Sequence, residues 1–215
     1  LTEVEPSLDA GLWDPLSSMM IRNLDPERLV YTFQYKHPLT QAVLTPCAED
    51  SVGGARMVMY GDIEVDHEYG DIRTEPNRVY FGCISGAIGK AALWGYAPDS
   101  PSQPSLSIEA FETTTRIVRS DYCANGKSFT QVGKLITLED RWQINDHGDF
   151  QWKTEAIWEV GGGAKCLRRI RGSGKVLVAP FMCADGSTIP LCPITEPNVE
   201  NLWNAQYGDV WTRIP

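Results

Sequence analysis

The sequence has no run of the roughly 18 apolar residues that a membrane-crossing helix requires, so no membrane span is expected. Positive charge is scarce too. Nineteen lysines and arginines against 28 aspartates and glutamates leave a net charge of −9, which repels nucleic acid and anionic membrane at long range, and neither is an expected partner. Histidine occurs three times, at His37, His67 and His147, and no two cysteines form a C-x-x-C pair, so common zinc and dithiol spacings are missing. A Gly-x-Ser-x-Gly elbow and a dinucleotide-binding glycine fingerprint are absent as well. No catalytic residue, metal ligand or cofactor is expected from these patterns.

What is present is an ordinary globular composition: 215 residues, 42% hydrophobic and 22% charged, enough for one domain with a sizeable core. The six cysteines, Cys47, Cys83, Cys123, Cys166, Cys183 and Cys192, are even in number and predict three disulfides. Six cysteines allow 15 pairings. A local Cys183–Cys192 bridge is favoured, because the two flank a loop holding Asp185-Gly186 and Pro190. The chain starts at Leu1 without Met, which fits a removed leader and an exported protein: secreted, periplasmic or on the cell surface.

Period-two alternation marks the strands. Leu29, Tyr31, Phe33 and Tyr35 alternate with Val30, Thr32 and Gln34, and Phe150 to Val160 places aromatic and β-branched residues on one face with mostly polar ones on the other. Met57–Tyr60, Ile63–Val65, Arg78–Phe81 and Leu135–Leu138 read as shorter strands, and Gly161-Gly162-Gly163 as the turn that pairs Ala164–Ile170 back onto the long one. Two helices interrupt them. A short one follows Ser85 and stops at Gly95, and a longer one from about Ser105 to Tyr122 carries Ala110, Phe111, Thr114, Ile117, Val118 and Tyr122 on one stripe, with Glu112 four residues before Arg116. The expected fold class is α+β: a mostly antiparallel sheet with one long and one short central helix packed on it, stabilised by disulfides. Residues 28–192 form the domain, with residues 1–27 as a Pro-, Asp- and Ser-rich arm around an apolar island of Leu12-Trp13 and Leu16 to Ile21, and 193–215 as a second arm around Trp203 and Trp211.

Three motifs in fixed order resemble the ADYC domain family of exported bacterial proteins: Phe81 to Lys90 with Cys83, Gly86 and Gly89; Trp94-Gly95-Tyr96; and Arg119 to Cys123 followed by Asn125-Gly126. The run from Ile157-Trp158 to Lys165-Cys166-Leu167-Arg168 is similar to the family's later cysteine strand. The likeness covers roughly residues 80–170. Position 120 is Ser where the signature has Ala, and cysteines that members often carry near Ala91 and Thr115 are absent. The resemblance implies export and disulfides, and it transfers no catalytic residue.

Asp121-Tyr122-Cys123 offers two readings. A cysteine hydrolase needs a thiolate beside a histidine base, whereas an even cysteine count favours Cys123 as an oxidised tether with Tyr122 in the core. Lys165, Arg168, Arg169, Arg171 and Lys175 are the densest positive charge, and Arg168, Arg169 and Arg171 are the candidate anion clamp. The alternating acids Asp62, Glu64, Asp66 and Glu68 read as a solvated strand face, and a calcium ion near Asp146 and Asp149 competes with a plain turn there. Trp13, Trp203 and Trp211 are the candidate contacts to other protein subunits. The expectation is an exported, non-enzymatic binding or structural subunit that joins an assembly through its arms. A cell-envelope hydrolase using Cys123 or a cleft carboxylate, or a carbohydrate-binding module stacking Trp152 or Trp158 on sugar, are the rivals.

Overall fold

A computed structural model describes residues 19–25, 30–50, 53–66, 68–98, 107–145, 152–193 and 208–215. Five strands make the first sheet: β1 (Met19–Asp25), β2 (Val30–Lys36), β3 (Val43–Leu44), β4 (Arg56–Val65) and β5 (Ile72–Cys83). All pairs are antiparallel, in the order β1-β2-β4-β5, with β3 on the far end of β2. Next come α1 (Ala87–Ala91), a wide π-helical turn over Ala92–Tyr96, and α2 (Ile108–Arg119). The second sheet holds β6 (Thr137–Asp140), β7 (Lys153–Trp158) and β8 (Ala164–Leu167), and its order is completed by the last strand, β11 (Val210–Ile214), between β6 and β7. A small hairpin of β9 (Phe181–Met182) and β10 (Thr188–Ile189) lies between them in sequence.

The alternation in β2 and β4 places Val30, Val58 and Tyr60 on the inner face of the first sheet, where Tyr60 meets Phe111 of α2 edge-on at 5.4 Å. One core joins that face to α2 and to Leu138, Ala156, Trp158 and Val210 of the second sheet. The mostly antiparallel α+β class and the three disulfides are as the sequence predicts. Helix length is not. The helix expected over about 105–122 spans 12 residues, so neither helix is long. Ser107 starts it by accepting the Ala110 amide at 3.2 Å, and Ser120, in the left-handed region with φ 54°, ends it before Tyr122. Inside, Glu112 and Arg116 pair at 2.8 Å as their spacing predicts.

Two further expectations are corrected. Cys183 does not bridge Cys192: the bridges are Cys47–Cys83, Cys123–Cys183 and Cys166–Cys192. The β9–β10 hairpin closes by its own hydrogen bonds, such as Cys183 N to Ser187 O, while Cys192 N donates to Leu167 O and so lies beside Cys166. Nor do the terminal arms keep their expected bounds: Met19–Asp25, expected within the arm 1–27, form β1 against β2, and the C-terminal residues from 208 onward are not an arm. β11 is an interior strand of the second sheet, paired on both sides, with Trp211 2% exposed. Residues 1–18 and 194–207, with Trp13 and Trp203, lie outside the described residues.

Candidate functional site

The signature Ser120-Asp121-Tyr122-Cys123 forms the turn that leaves α2, and each of its side chains is engaged inside the molecule. Asp121 accepts the amides of Asn125 and Gly126 at 3.1 and 2.7 Å, closing the turn. Gly126 has φ 82° and lies against the backbone of Glu68 and Tyr69, so a side chain there meets both a strained φ and an occupied space. Burial raises the pKa of Asp121, and those two amides and nearby Arg119 counteract the rise. Cys123 carries the bridge to Cys183, ahead of β10.

Tyr122 sits at the centre. Its ring stacks on Trp158 at 5.5 Å and 27°, with Phe129 and Phe181 around it. Its hydroxyl donates to Glu155 Oε1 at 2.7 Å and accepts the Arg171 amide at 2.9 Å. Burial, and then the charge of Glu155, hold the phenol well above the usual tyrosine range. Arg171 completes the cluster with Nε and Nη2 on the two oxygens of Glu155 at 3.0 and 2.8 Å, and Nη1 on the carbonyls of Ile117 and Val118 at the end of α2. The pair is fully enclosed, with side-chain exposures of 2% and 0%. A buried ion pair of this kind is tolerated only when its remaining hydrogen-bonding capacity is met, and here Tyr122, Ser120 and backbone carbonyls meet it.

Glu155 reaches this place through a β-bulge. Thr212 of β11 faces Ala156 and Arg213 faces Thr154, so Glu155 is an extra residue on β7 without an opposite number. Its carbonyl accepts the amides of Arg168 and Arg169. A second ionic contact, Arg213–Glu139 at 3.2 Å with Arg213 stacked on Trp211 at 3.7 Å, is buried elsewhere on the second sheet. Tyr96 and Asp140 make a third buried polar group, joined at 2.5 Å, while Asp140 also holds the amides of Trp142, Ile144 and Asn145. The side-chain pairs Glu155–Arg171, Glu139–Arg213 and Tyr96–Asp140 are not legible from spacing, since each joins residues far apart in sequence.

A polar cleft of about 430 Å³ lies between Asp66, Asp71, Arg73, Glu112, Arg116 and Gly161. Its central cation is already neutralised: Arg116 binds Glu112 at 2.8 Å and Asp71 at 2.6 Å. Glu112 also accepts the Ile72 amide, and Asp66 caps the turn through Glu68 N and Tyr69 N. These carboxylates hold the helix and the β4–β5 hairpin together.

Placement of the other expected residues follows from this. All six cysteines are oxidised, so Cys123 offers no thiolate. Arg171 faces inward, whereas Arg168 and Arg169 lie half-buried near the second-sheet edge, so the three arginines do not form one clamp. Trp158 is buried and donates to Thr212 Oγ1, which removes it from any sugar-stacking surface. Trp211 is covered within its own fold and is not a surface contact. Residues Asp146 and Asp149 fall outside the described residues, and no metal-binding cluster occurs among the described ones.

A disulfide-braced α+β domain whose signature turn is locked from within is the class this geometry defines. Comparison with family models then supplies the family: the chain belongs to the ADYC domain family, the match running over residues 12–173, well beyond the stretch of 80–170 that carried the likeness in sequence. No curated protein and no solved structure matches it. Three disulfides with no free cysteine are the mark of an oxidising environment outside the cytosol, and among the described residues no helix is long and apolar enough to cross a membrane.

Proposed function

We propose that this chain is an exported, non-enzymatic binding or structural subunit of an extracellular or cell-envelope assembly. The observation that carries the reading is the direction of the signature: Asp121, Tyr122 and Cys123 all turn inward to close a turn, complete a buried polar cluster and tether α2. A catalytic motif needs at least one such group exposed to a substrate with its base in reach. The outer face of the first sheet supports a role in contact, since Val79 and Phe81 are 57% and 44% exposed there beside half-buried Phe33. Segments 1–18 and 194–207, with Trp13 and Trp203, are the other candidate contacts of this reading.

Alkylation of the native protein, followed by mass spectrometry, tests the non-enzymatic part. The expected result is no modified cysteine until reductant and denaturant are both added. A single cysteine labelled in the native state, above all Cys123, overturns the reading and restores the hydrolase.

A further inference from the structure

Charge is unevenly divided over this acidic chain. The stretches 127–135 and 165–178 contain seven lysines and arginines and no aspartate or glutamate. They lie together: Gly172 N donates to Phe129 O, and Gly133, Lys134 and Leu135 line a hollow shared with Arg171 and Gly174. Arg171 is engaged by Glu155 and Lys165 by Glu159. Lys134, Arg168, Arg169 and Lys175 make no ion pair with any described residue. Among these cations stand exposed apolar side chains: Val132 is fully exposed, Val178 is 91% and Leu135 64% exposed. Cationic and apolar groups together on a molecule of net charge −9 make a surface that fits an acidic partner with apolar groups of its own.

The same chain carries such a surface. The β4–β5 hairpin, residues 61–79, has six carboxylates (Asp62, Glu64, Asp66, Glu68, Asp71 and Glu75) against Arg73 and Arg78, and with Asp71 committed to Arg116 of α2 it still keeps an acidic excess. It runs directly into Val79 and Phe81, which stay exposed on the outer face. We infer that the basic, apolar rim formed by residues 131–135 and 168–178 docks the acidic β4–β5 hairpin of a second copy of this chain. The inference deepens the subunit reading and rests on it. Overall repulsion between two negative chains does not forbid this contact, because at physiological salt charges beyond about 8 Å are largely screened and neighbouring opposite charges decide. Two different patches meet, so each copy keeps one free rim and one free hairpin, and the contact propagates into chains or rings.

The experiment uses charge reversal at exposed Lys134, Lys175 and Glu68 and at half-buried Glu75. Lys134→Glu with Lys175→Glu inactivates the rim, and Glu68→Lys with Glu75→Lys inactivates the hairpin. In sedimentation at about 0.15 M salt, the wild-type chain is expected to show concentration-dependent oligomers, and each double variant alone to be monomeric. Mixing the two variants is expected to restore association, because the intact rim of one meets the intact hairpin of the other, and the reversed rim and reversed hairpin again carry opposite charges. Lys134→Gln with Lys175→Gln, which adds no new charge, gives the same loss of self-association with an unchanged melting temperature. A wild-type chain monomeric at every concentration, or variants that associate as it does, overturns the inference. So does a wild type that stays monomeric yet pellets with anionic phospholipid vesicles, which assigns the rim to a lipid surface. A monomer whose native cysteines remain unlabelled removes the second copy and leaves the subunit reading in place.

Discussion

The two sheets handle their polar and apolar groups in opposite ways. The second sheet encloses charges: Glu155–Arg171 and Glu139–Arg213 are both buried, and Thr212 of its interior strand accepts the Trp158 indole N–H. The first sheet leaves apolar groups outside, with Val79 and Phe81 on its outer face and Leu44 of β3 38% exposed. Apolar burial by itself does not choose one arrangement over its near neighbours, whereas a buried ion pair with fixed hydrogen-bond partners tolerates one geometry. The second sheet therefore fixes how α2, β7 and the loop through Arg171 meet. The first has surface available for another molecule.

The strongest way to break this contrast is at Arg171. Arg171→Met leaves the Glu155 carboxylate buried without its partner, and the expected loss is about 3–5 kcal/mol of stability, read as a fall in the denaturant midpoint. The double variant Glu155→Leu, Arg171→Met is expected to recover much of that loss, since two apolar side chains replace two charges. Recovery is incomplete because the carbonyls of Ile117 and Val118 and the Tyr122 hydroxyl each lose a partner. If Arg171→Met alone costs under 1 kcal/mol, the cluster is not what fixes the second sheet.

Reduction of Cys123–Cys183 comes next. The bridge closes 60 residues and is expected to contribute about 4 kcal/mol by the chain-entropy relation, so Cys123→Ala with Cys183→Ala lowers stability by that order. The Cys47–Cys83 pair, 36 residues apart on the first sheet, closes a shorter loop, and its removal is expected to cost a few tenths of a kcal/mol less. A reversed order, measured on the two double variants, would place the more constrained half of the molecule on the other side.

Why this contrast was only half legible in the sequence follows from particular residues. Alternation in Tyr31, Phe33 and Tyr35 and in the 150–160 run gave the strands, and the even cysteine count gave three bridges, because both signals are local or additive. Glu155 was invisible for the opposite reason. In a period-two reading it belongs with Lys153 and Glu159 on a solvated face, and only the bulge, which depends on the register of β11, takes it out of that alternation. The end of α2 was misplaced because Tyr122 continues the helical stripe by spacing, while the chain has already turned left-handed at Ser120. Trp211 read as part of an arm because β11 finds its partners, Glu139 and Ile157, more than 50 residues away. Disulfide connectivity is likewise a property of the tertiary fold, and proximity along the chain misled it.

Alkali sharpens the comparison through buried tyrosines. Burial pushes Tyr60, Tyr96 and Tyr122 well above the usual tyrosine range, aided by Asp140 at Tyr96 and by Glu155 at Tyr122. An unfolded tyrosine ionises near pH 10, so above about that pH the unfolded chain releases protons that the folded chain retains. Stability contributed by these groups is complete below pH 10 and falls as pH rises toward the folded values, by about 1.4 kcal/mol per pH unit for each tyrosine. Absorbance of the phenolate is expected to show a late stage, because these three tyrosines appear only with unfolding. A single smooth titration of all eight tyrosines in a protein that stays folded would contradict the enclosed cluster.

The smallest effect belongs to the first sheet's outer face. Phe81 is 44% exposed, with its ring 6.0 Å from that of Phe33 across β4. Replacing it by Ser removes only partly covered apolar area and leaves no cavity in the main core, so the expected change in stability is within about 0.5–1 kcal/mol. Self-association is expected to weaken more than stability does, because Phe81 adjoins the hairpin that the rim receives. The two readouts separate the roles of the sheet faces. If Phe81→Ser lowers stability by as much as Arg171→Met does, the outer face is as integral to the fold as the buried ion pair, and the division between a fixing sheet and a contacting sheet does not hold.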